Sequence, residues 1–304
     1  MDKVNSKKIL VTGATGYIGG SLCNGLEELG FDITRGSRSP PLKHNSAHKW
    51  VSTDWNDENL SFLSEFDCVV HAAGPASREC VDNPELAKYF YGDVTARLIE
   101  ILVKQGGKSV FLISSVHVYD IDGSGVITEE TTRSNTHPYV VHRRTSEDLL
   151  ISYLENNQIG GCILRLGNCF GKIGDARGDF GNLFVNQICN DVLNTGKINI
   201  NSNPSARRDF VPISYLMRVV CELLIENPQF AVYNVVTGLS MSLLEVATEV
   251  VRCSTNLTNN IPEIGYDKDL IQSVKTKEID NFRCFSLVKM EEREFTSAIT
   301  DLLS

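Results

Sequence analysis

The stretch Ile9-Leu10-Val11-Thr12-Gly13-Ala14-Thr15-Gly16-Tyr17-Ile18-Gly19 constrains the fold more than any other part of this chain. It reads as a short buried strand (Ile9 to Val11), a tight turn, and a helix running to about Leu29. Ile18, Leu22, Leu26 and Leu29 give that helix one apolar face. Gly13 allows the turn, Gly16 lets backbone approach a pyrophosphate, and Gly19 lets helix and strand pack closely. The N–H groups that open the helix favour an anion. A glycine triplet alone is a weak sign, but this one follows a strand and opens a helix, the context that makes it a dinucleotide cradle. Gly13, Thr15, Gly16, Tyr17, Ile18 and Gly19 are its expected contacts.

Strands and helices alternate through the first 170 residues. Strands are predicted at 31–37, 49–53, 66–72, 110–114 and 162–166, and helices at 84–104 and 138–155. Near-continuous apolar strands in βαβα order predict an α/β fold, a doubly wound parallel-sheet (Rossmann) domain with helices on both faces. After Gly171 the texture changes to glycine-broken, polar sequence, with a further strand at 232–236 and a helix at 242–253. Residues 1–169 plus 208–236 are therefore expected to form the dinucleotide-binding domain. Residues 170–207 plus 237–304 are expected to form a smaller, discontinuous C-terminal substrate lobe over the carboxyl ends of the strands. Residues 254–304 carry no chemical signal of their own.

Composition excludes some partners. A net charge of −9 with no compensating basic run argues against nucleic acid. The apolar runs are too short to span a bilayer. The opening Met1-Asp2-Lys3-Val4-Asn5-Ser6 lacks the apolar core of a signal peptide. Nine cysteines without a Cys-x-x-Cys pair read as reduced thiols, so the expected compartment is the cytoplasm. The six histidines show no ligand spacing, and no metal is expected.

The end of the second strand should read the adenosine ribose. Asp32 has the right distance from Gly13 but sits at the start of that strand. Its end, Gly36-Ser37-Arg38-Ser39-Pro40, offers an arginine flanked by hydroxyls, which suits the 2′-phosphate of NADP. Ser37 and Arg38 are thus expected cofactor contacts, with NADP favoured over NAD. Asp54 either meets the adenine amino group or is a plain surface acid.

Ser115 ends the fifth strand, at the edge where a nicotinamide would lie, and is placed to hydrogen-bond a substrate oxygen. Tyr139 and Arg143, four apart, share one face of a helix. A phenol needs help to act as a base near neutral pH, and a fixed cation supplies it by stabilising the phenolate. The pair reads as an acid–base tyrosine with its electrostatic partner.

Together, and in this order, these segments resemble the extended short-chain dehydrogenase/reductase family of NAD(P)-dependent nucleotide-sugar epimerases, dehydratases and reductases. Thr12-Gly13-x-x-Gly16-x-x-Gly19 looks like its cofactor loop. Val70-His71-Ala72-Ala73-Gly74 looks like the fourth strand, whose end (Ala72, Ala73, Gly74) lies along the cofactor. Ser115 to Tyr119 is similar to the catalytic serine/threonine segment, and Tyr139 to Glu147 to the Tyr-x-x-x-Lys helix with its trailing glutamate. Leu164 to Gly171 resembles the segment whose asparagine, here Asn168, approaches the substrate phosphates. Arg208-Asp209-Phe210-Val211 resembles the one whose arginine grips the diphosphate, and Tyr233 to Gly238 the one leading into the substrate lobe.

The resemblance implies a nucleotide-sugar oxidoreductase of the 4-keto reductase or C4 epimerase type. Tyr139 would exchange a proton with the sugar and Ser115 would orient the oxygen. Arg143 would bias the tyrosine and hold the nicotinamide ribose, and Asn168 and Arg208 would anchor the diphosphate. A homodimer pairing the long 84–104 and 138–155 helices is also expected. An NADP-like loop tilts the reading toward a reductase. Three positions depart from the family pattern. Arg143 replaces the lysine, and Asp93 stands where an asparagine is expected. Val116-His117 replaces the Asp-Glu pair of the dehydratases, so 4,6-dehydration is not expected. Arg143 and Asp93 also motivate the alternative of a dinucleotide-binding scaffold or sensor that has lost catalysis.

Overall fold

The computed structural model describes residues 7–38, 48–53, 60–106, 108–172, 183–272 and 275–304. Seven strands form one sheet: β1 (Lys8–Thr12), β2 (Asp32–Ser37), β3 (Lys49–Ser52), β4 (Cys68–His71), β5 (Ser109–Ser115), β6 (Gly160–Leu166) and β7 (Val232–Val235). Their order is β7-β6-β5-β4-β1-β2-β3, and every neighbouring pair is parallel. The direction of winding therefore reverses between β1 and β4. That reversal opens a crevice at the carboxyl ends of these two strands, where ligands of open α/β sheets bind.

Side chains alternate across the sheet with period two, so each strand feeds two cores. Ile9, Val11, Val70, Phe111 and Ile113 face one core, covered by α1 (Tyr17–Glu28) and by the helix Ile213–Glu226. Leu10, Val69, Val110 and Leu112 face the other, covered by the helices Thr95–Lys104 and Pro138–Glu155. A third core gathers Phe170, Val185, Ile188, Ile198, Val246, Val250, Phe295 and Ile299 beyond the sheet's carboxyl edge. Residues near the C-terminus divide between cores, since Cys284 packs into the first and Phe295 into the third.

The predicted helix over 84–104 is α2 (Pro84–Lys88), a π-turn over Tyr89–Val94, and α3 (Thr95–Lys104). The sequence contains the reason. Leu86, Phe90, Val94, Leu98 and Leu102 repeat every four residues and all pack on the second core. Such a stripe drifts about 40° per repeat on a helix of 3.6 residues per turn. One π-turn takes up an extra residue and brings the stripe back over the sheet. The carbonyls it frees find partners: Thr95 Oγ1 donates to Phe90 O at 3.3 Å, and Ser146 Oγ donates to Tyr91 O at 2.6 Å.

The helix α4 (Pro138–Glu155) starts where His137 Nδ1 accepts the Tyr139 N–H at 3.3 Å, with Pro138 at its first position. It is tied to the sheet by Glu147, which is fully buried. Glu147 pairs with Arg165 of β6 at 2.7 Å and with Arg133 at 3.0 Å, and it accepts from Ser114 Oγ of β5 at 2.5 Å. Removing the carboxylate leaves the Arg165 guanidinium, 2% exposed, without its counter-charge. Glu147→Ala is expected to cost about 3–5 kcal/mol in urea unfolding; a loss below about 1 kcal/mol would show that the pair does not hold the helix.

Candidate active site

The glycine loop adopts the geometry its sequence demands. Gly13 has φ +70°, and a Cβ there would stand 2.8 Å from Ala73 N. A Cβ on Gly19 would stand 2.3 Å from Gly13 O, so only glycine lets α1 pass this close to the turn. Gly16 caps α1 without a side-chain hydrogen bond, leaving the first N–H groups of the helix open to an anion. Thr15 Oγ1 lies 3.4 Å from Ser37 Oγ, which joins the loop to the end of β2. Gly13, Thr15, Gly16, Ser37, Arg38, Ala72, Ala73 and Gly74 line one pocket of about 180 Å³ at the β1–β4 crevice. A cradle open at a helix start, where two Cβ atoms would clash, fits a dinucleotide's pyrophosphate.

Other expected contacts lie elsewhere. Tyr17 is buried in the first core and its hydroxyl donates to Gly171 O at 3.3 Å. Ile18 packs, half-buried, against the same core. Asp32 opens β2 and pairs with Lys49 at 2.6 Å, away from the crevice. Asp54 falls outside the described residues. Asp93 is exposed.

The chemical residues converge from two elements. Ser115, buried at the end of β5, accepts the His117 N–H on its Oγ at 3.2 Å. Tyr139 is half-buried and packs beside Val116 and Val118. Arg143, one turn further along α4, donates from its NH1 to Ile113 O of β5 at 2.5 Å. Its guanidinium carbon lies 4.8 Å from the centre of the Tyr139 ring. Burial works against the charge of Arg143, but Tyr139 and Tyr91 outweigh it and hold the guanidinium firmly protonated. Tyr91, which the sequence did not single out, reaches this place through the π-turn.

A larger pocket of about 840 Å³ opens beside Ser115, lined by Val116, His117, Asn168, Arg208, Gly238, Lys277 and Asn281 among others. Strand register explains its floor. The strand Arg207–Pro212 pairs Phe210 with Asn168 and Arg208 with Met241, both Arg208 and Asn168 line the pocket, and Asn168 Nδ2 donates to Asp209 O at 3.2 Å. The buried Asp209 carboxylate accepts from Thr237 N at 2.8 Å, Thr237 Oγ1 at 3.0 Å and Gly238 N at 2.8 Å, fixing the loop that forms one wall. Burial, then the charge of Arg208, lowers the His117 pKa and keeps its imidazole neutral. Residues 276–281 reach the pocket because Glu278 and Ile279 pair with Val126 and Ile127. A two-residue pairing across so long a separation leaves no sequence signal.

The model of the NAD dependent epimerase/dehydratase family matches residues 9–235. The chain belongs to that family. UDP-glucose 4-epimerase of Bacillus subtilis is 28% identical to it over 271 residues, covering 78% of this chain and 79% of that protein. Two solved structures share the fold. MoeE5 in complex with UDP-glucuronic acid and NAD is 24% identical, with a TM-score of 0.78 over 97% of this chain and 98% of that one. UDP-glucuronic acid 4-epimerase from Bacillus cereus, in complex with UDP-glucuronic acid and NAD, is 21% identical, with a TM-score of 0.76 over 97% and 98%.

The expectation of NADP is corrected by these findings: the family is NAD dependent, and both complexes hold NAD. Arg38 carried that expectation. It is exposed, and its guanidinium lies over the Phe90 ring, 4.7 Å from the centroid. An arginine in this position covers the mouth of the cradle as readily as it would meet a 2′-phosphate. One residue type at a strand end could not separate the two uses. Among the described residues, no helix is long and apolar enough to cross a membrane.

His71 is expected to make the fold's stability fall in acid. It is buried, with Nδ1 2.8 Å from Thr12 Oγ1, and burial followed by the charge of Arg143 pushes its pKa down to about 4. Between pH 6.5 and about 4 the unfolded chain binds a proton at this residue that the folded chain does not, so stability falls as pH falls. The expected loss across this window is about 3 kcal/mol. His71→Gln should flatten the dependence of the urea midpoint on pH there; an unchanged slope would show that His71 does not cause it.

Proposed function

We propose that this protein is an NAD-dependent nucleotide-sugar 4-epimerase, and that the observation carrying this reading is the Tyr139 phenol held against the fixed Arg143 cation beside Ser115. The tilt toward a reductase came from the NADP-like loop and falls with it. NAD, when bound, supplies a reversible hydride acceptor for C4 of the sugar. Tyr139 takes the C4 hydroxyl proton as hydride leaves and returns it after the 4-keto sugar has turned over. Ser115 orients the oxygen and stabilises its developing charge. Arg143 keeps a permanent positive charge beside the Tyr139 ring, and its donors are available to the nicotinamide ribose. Gly13, Thr15, Gly16, Ser37, Arg38, Ala72, Ala73 and Gly74 hold the dinucleotide, Gly19 shapes the turn, and Tyr17 and Ile18 support it from the core.

Asn168 and Arg208 anchor the diphosphate, the remote binding energy that positions C4. This assigns residues 1–169 plus 208–236 to dinucleotide binding and 170–207 plus 237–304 to the substrate lobe. We also propose a homodimer through the 84–104 and 138–155 helices. Val141, apolar and exposed on α4, supports this pairing.

Incubation of the NAD-loaded protein with UDP-glucose, UDP-galactose and their N-acetylated and uronic acid counterparts tests the function. At least one pair should interconvert, and Tyr139→Phe should slow it by about 10²–10⁴-fold while NAD still binds. Turnover of no pair, or full turnover by Tyr139→Phe, would contradict the assignment. Light scattering at micromolar concentration should return twice the chain mass, and a monomer would refute the helix pairing.

A further inference from the structure

Arg143 stands where the family pattern has lysine, and its surroundings suit a guanidinium. Its carbon lies 4.8 Å from the centre of the Tyr139 ring and 5.0 Å from that of Tyr91. The two rings meet edge to face, with centroids 6.3 Å apart and planes at 83°. NH1 has its bond to Ile113 O, but Nε is buried with no hydrogen-bond partner. The faces of two aromatic rings therefore add to the fixing that the bond to Ile113 O supplies. A planar, weakly hydrated guanidinium stacks well on aromatic faces, whereas a compact ammonium keeps its water more strongly.

Tyr91 is itself locked in place. It is 3% exposed, and its hydroxyl donates to Pro75 O at 2.7 Å. Gly74 admits the ring, since a Cβ there would come within 2.7 Å of it. The Tyr91 carbonyl accepts from Ser146 Oγ of α4, the same helix that carries Tyr139 and Arg143. The π-turn is the backbone feature that delivers this residue to the site.

We infer that Tyr91 is a positioning residue of the active site: its ring and that of Tyr139 form a slot that fixes the Arg143 cation, and this slot is what lets arginine replace lysine. The inference rests on the function proposed above. Without the Tyr91 ring the guanidinium can swing away from the phenol, so the proton-transfer step suffers while substrate binding does not.

The test compares Tyr91→Leu, Tyr91→Phe, Arg143→Lys and the double variant Tyr91→Leu/Arg143→Lys, all loaded with NAD. Tyr91→Leu should lower kcat about tenfold. It should leave KM within about twofold and move the acidic limb of the kcat–pH profile to higher pH. Tyr91→Phe keeps the ring and should recover most of kcat and the original profile. Arg143→Lys should lower kcat in the native background and change little in the Tyr91→Leu background. Additive losses overturn the slot, as does a Tyr91→Leu enzyme with native kcat. A Tyr91→Leu enzyme with an unmoved pH profile, equalled in its loss by Tyr91→Phe, reveals a merely structural role and also overturns it.

Urea unfolding of the same four proteins reads the contact independently of turnover. If the slot exists, the double variant loses less midpoint stability than the two single variants together, and strict additivity overturns it. A native protein that turns over no nucleotide sugar defeats the proposed function, and the unfolding cycle then decides the slot alone.

Discussion

The buried pair of Glu147 and Arg165 is the interaction on which the active site depends. Tyr139, Arg143 and Glu147 fall at successive turns of α4, on the face turned to the sheet. The carboxylate at the third of these positions reaches Arg165 on β6 and Ser114 on β5, the residue before Ser115. One buried anion thereby sets the depth and rotation of the helix that carries the tyrosine, relative to the strand that carries the serine. A buried ion pair of this kind adds little net stability over a well-packed apolar pair. Its contribution is to penalise any docking of α4 that leaves either charge alone. Arg165 extends the constraint outward by donating to Tyr119 Oη, whose own hydroxyl donates to Asn234 of β7 at 2.9 Å.

Above this pair the site separates groups that must stay charged from groups that must not. Arg143 and Arg208 carry permanent charge, one beside the Tyr139 ring and one in the larger pocket. The histidines nearest them, His71 and His117, are kept neutral by burial and by those same arginines. In the proposed role, a diphosphate would meet positive charge that does not vary with pH near neutrality, and the phenol sits beside a cation that cannot give up its proton. Arginine in place of lysine strengthens that second property.

Much of this was legible in the sequence, and the illegible parts have physical causes. The glycine loop, the alternating strands and the Tyr139–Arg143 spacing each follow from local geometry, and local geometry is what a sequence encodes most directly. The π-turn was hidden in plain view: a four-residue apolar repeat looks helical until its drift is followed over five positions. Tyr91 was missed with it, because its inward direction depends on that extra residue. Arg38 misled because its partner, the Phe90 ring, lies far along the chain. Residues 276–281 were silent because only tertiary pairing with Val126 and Ile127 brings them to the pocket. Long-range pairing of that kind has no signature in spacing or composition.

The fate of deuterium placed at C4 of the sugar nucleotide tests the central claim most directly. If hydride leaves C4 and returns to it on bound NAD while Tyr139 exchanges only the hydroxyl proton, both epimers keep the label at C4. No carbon then acquires hydrogen from the solvent. Loss of the label, or solvent hydrogen appearing at C3 or C5, would contradict the account.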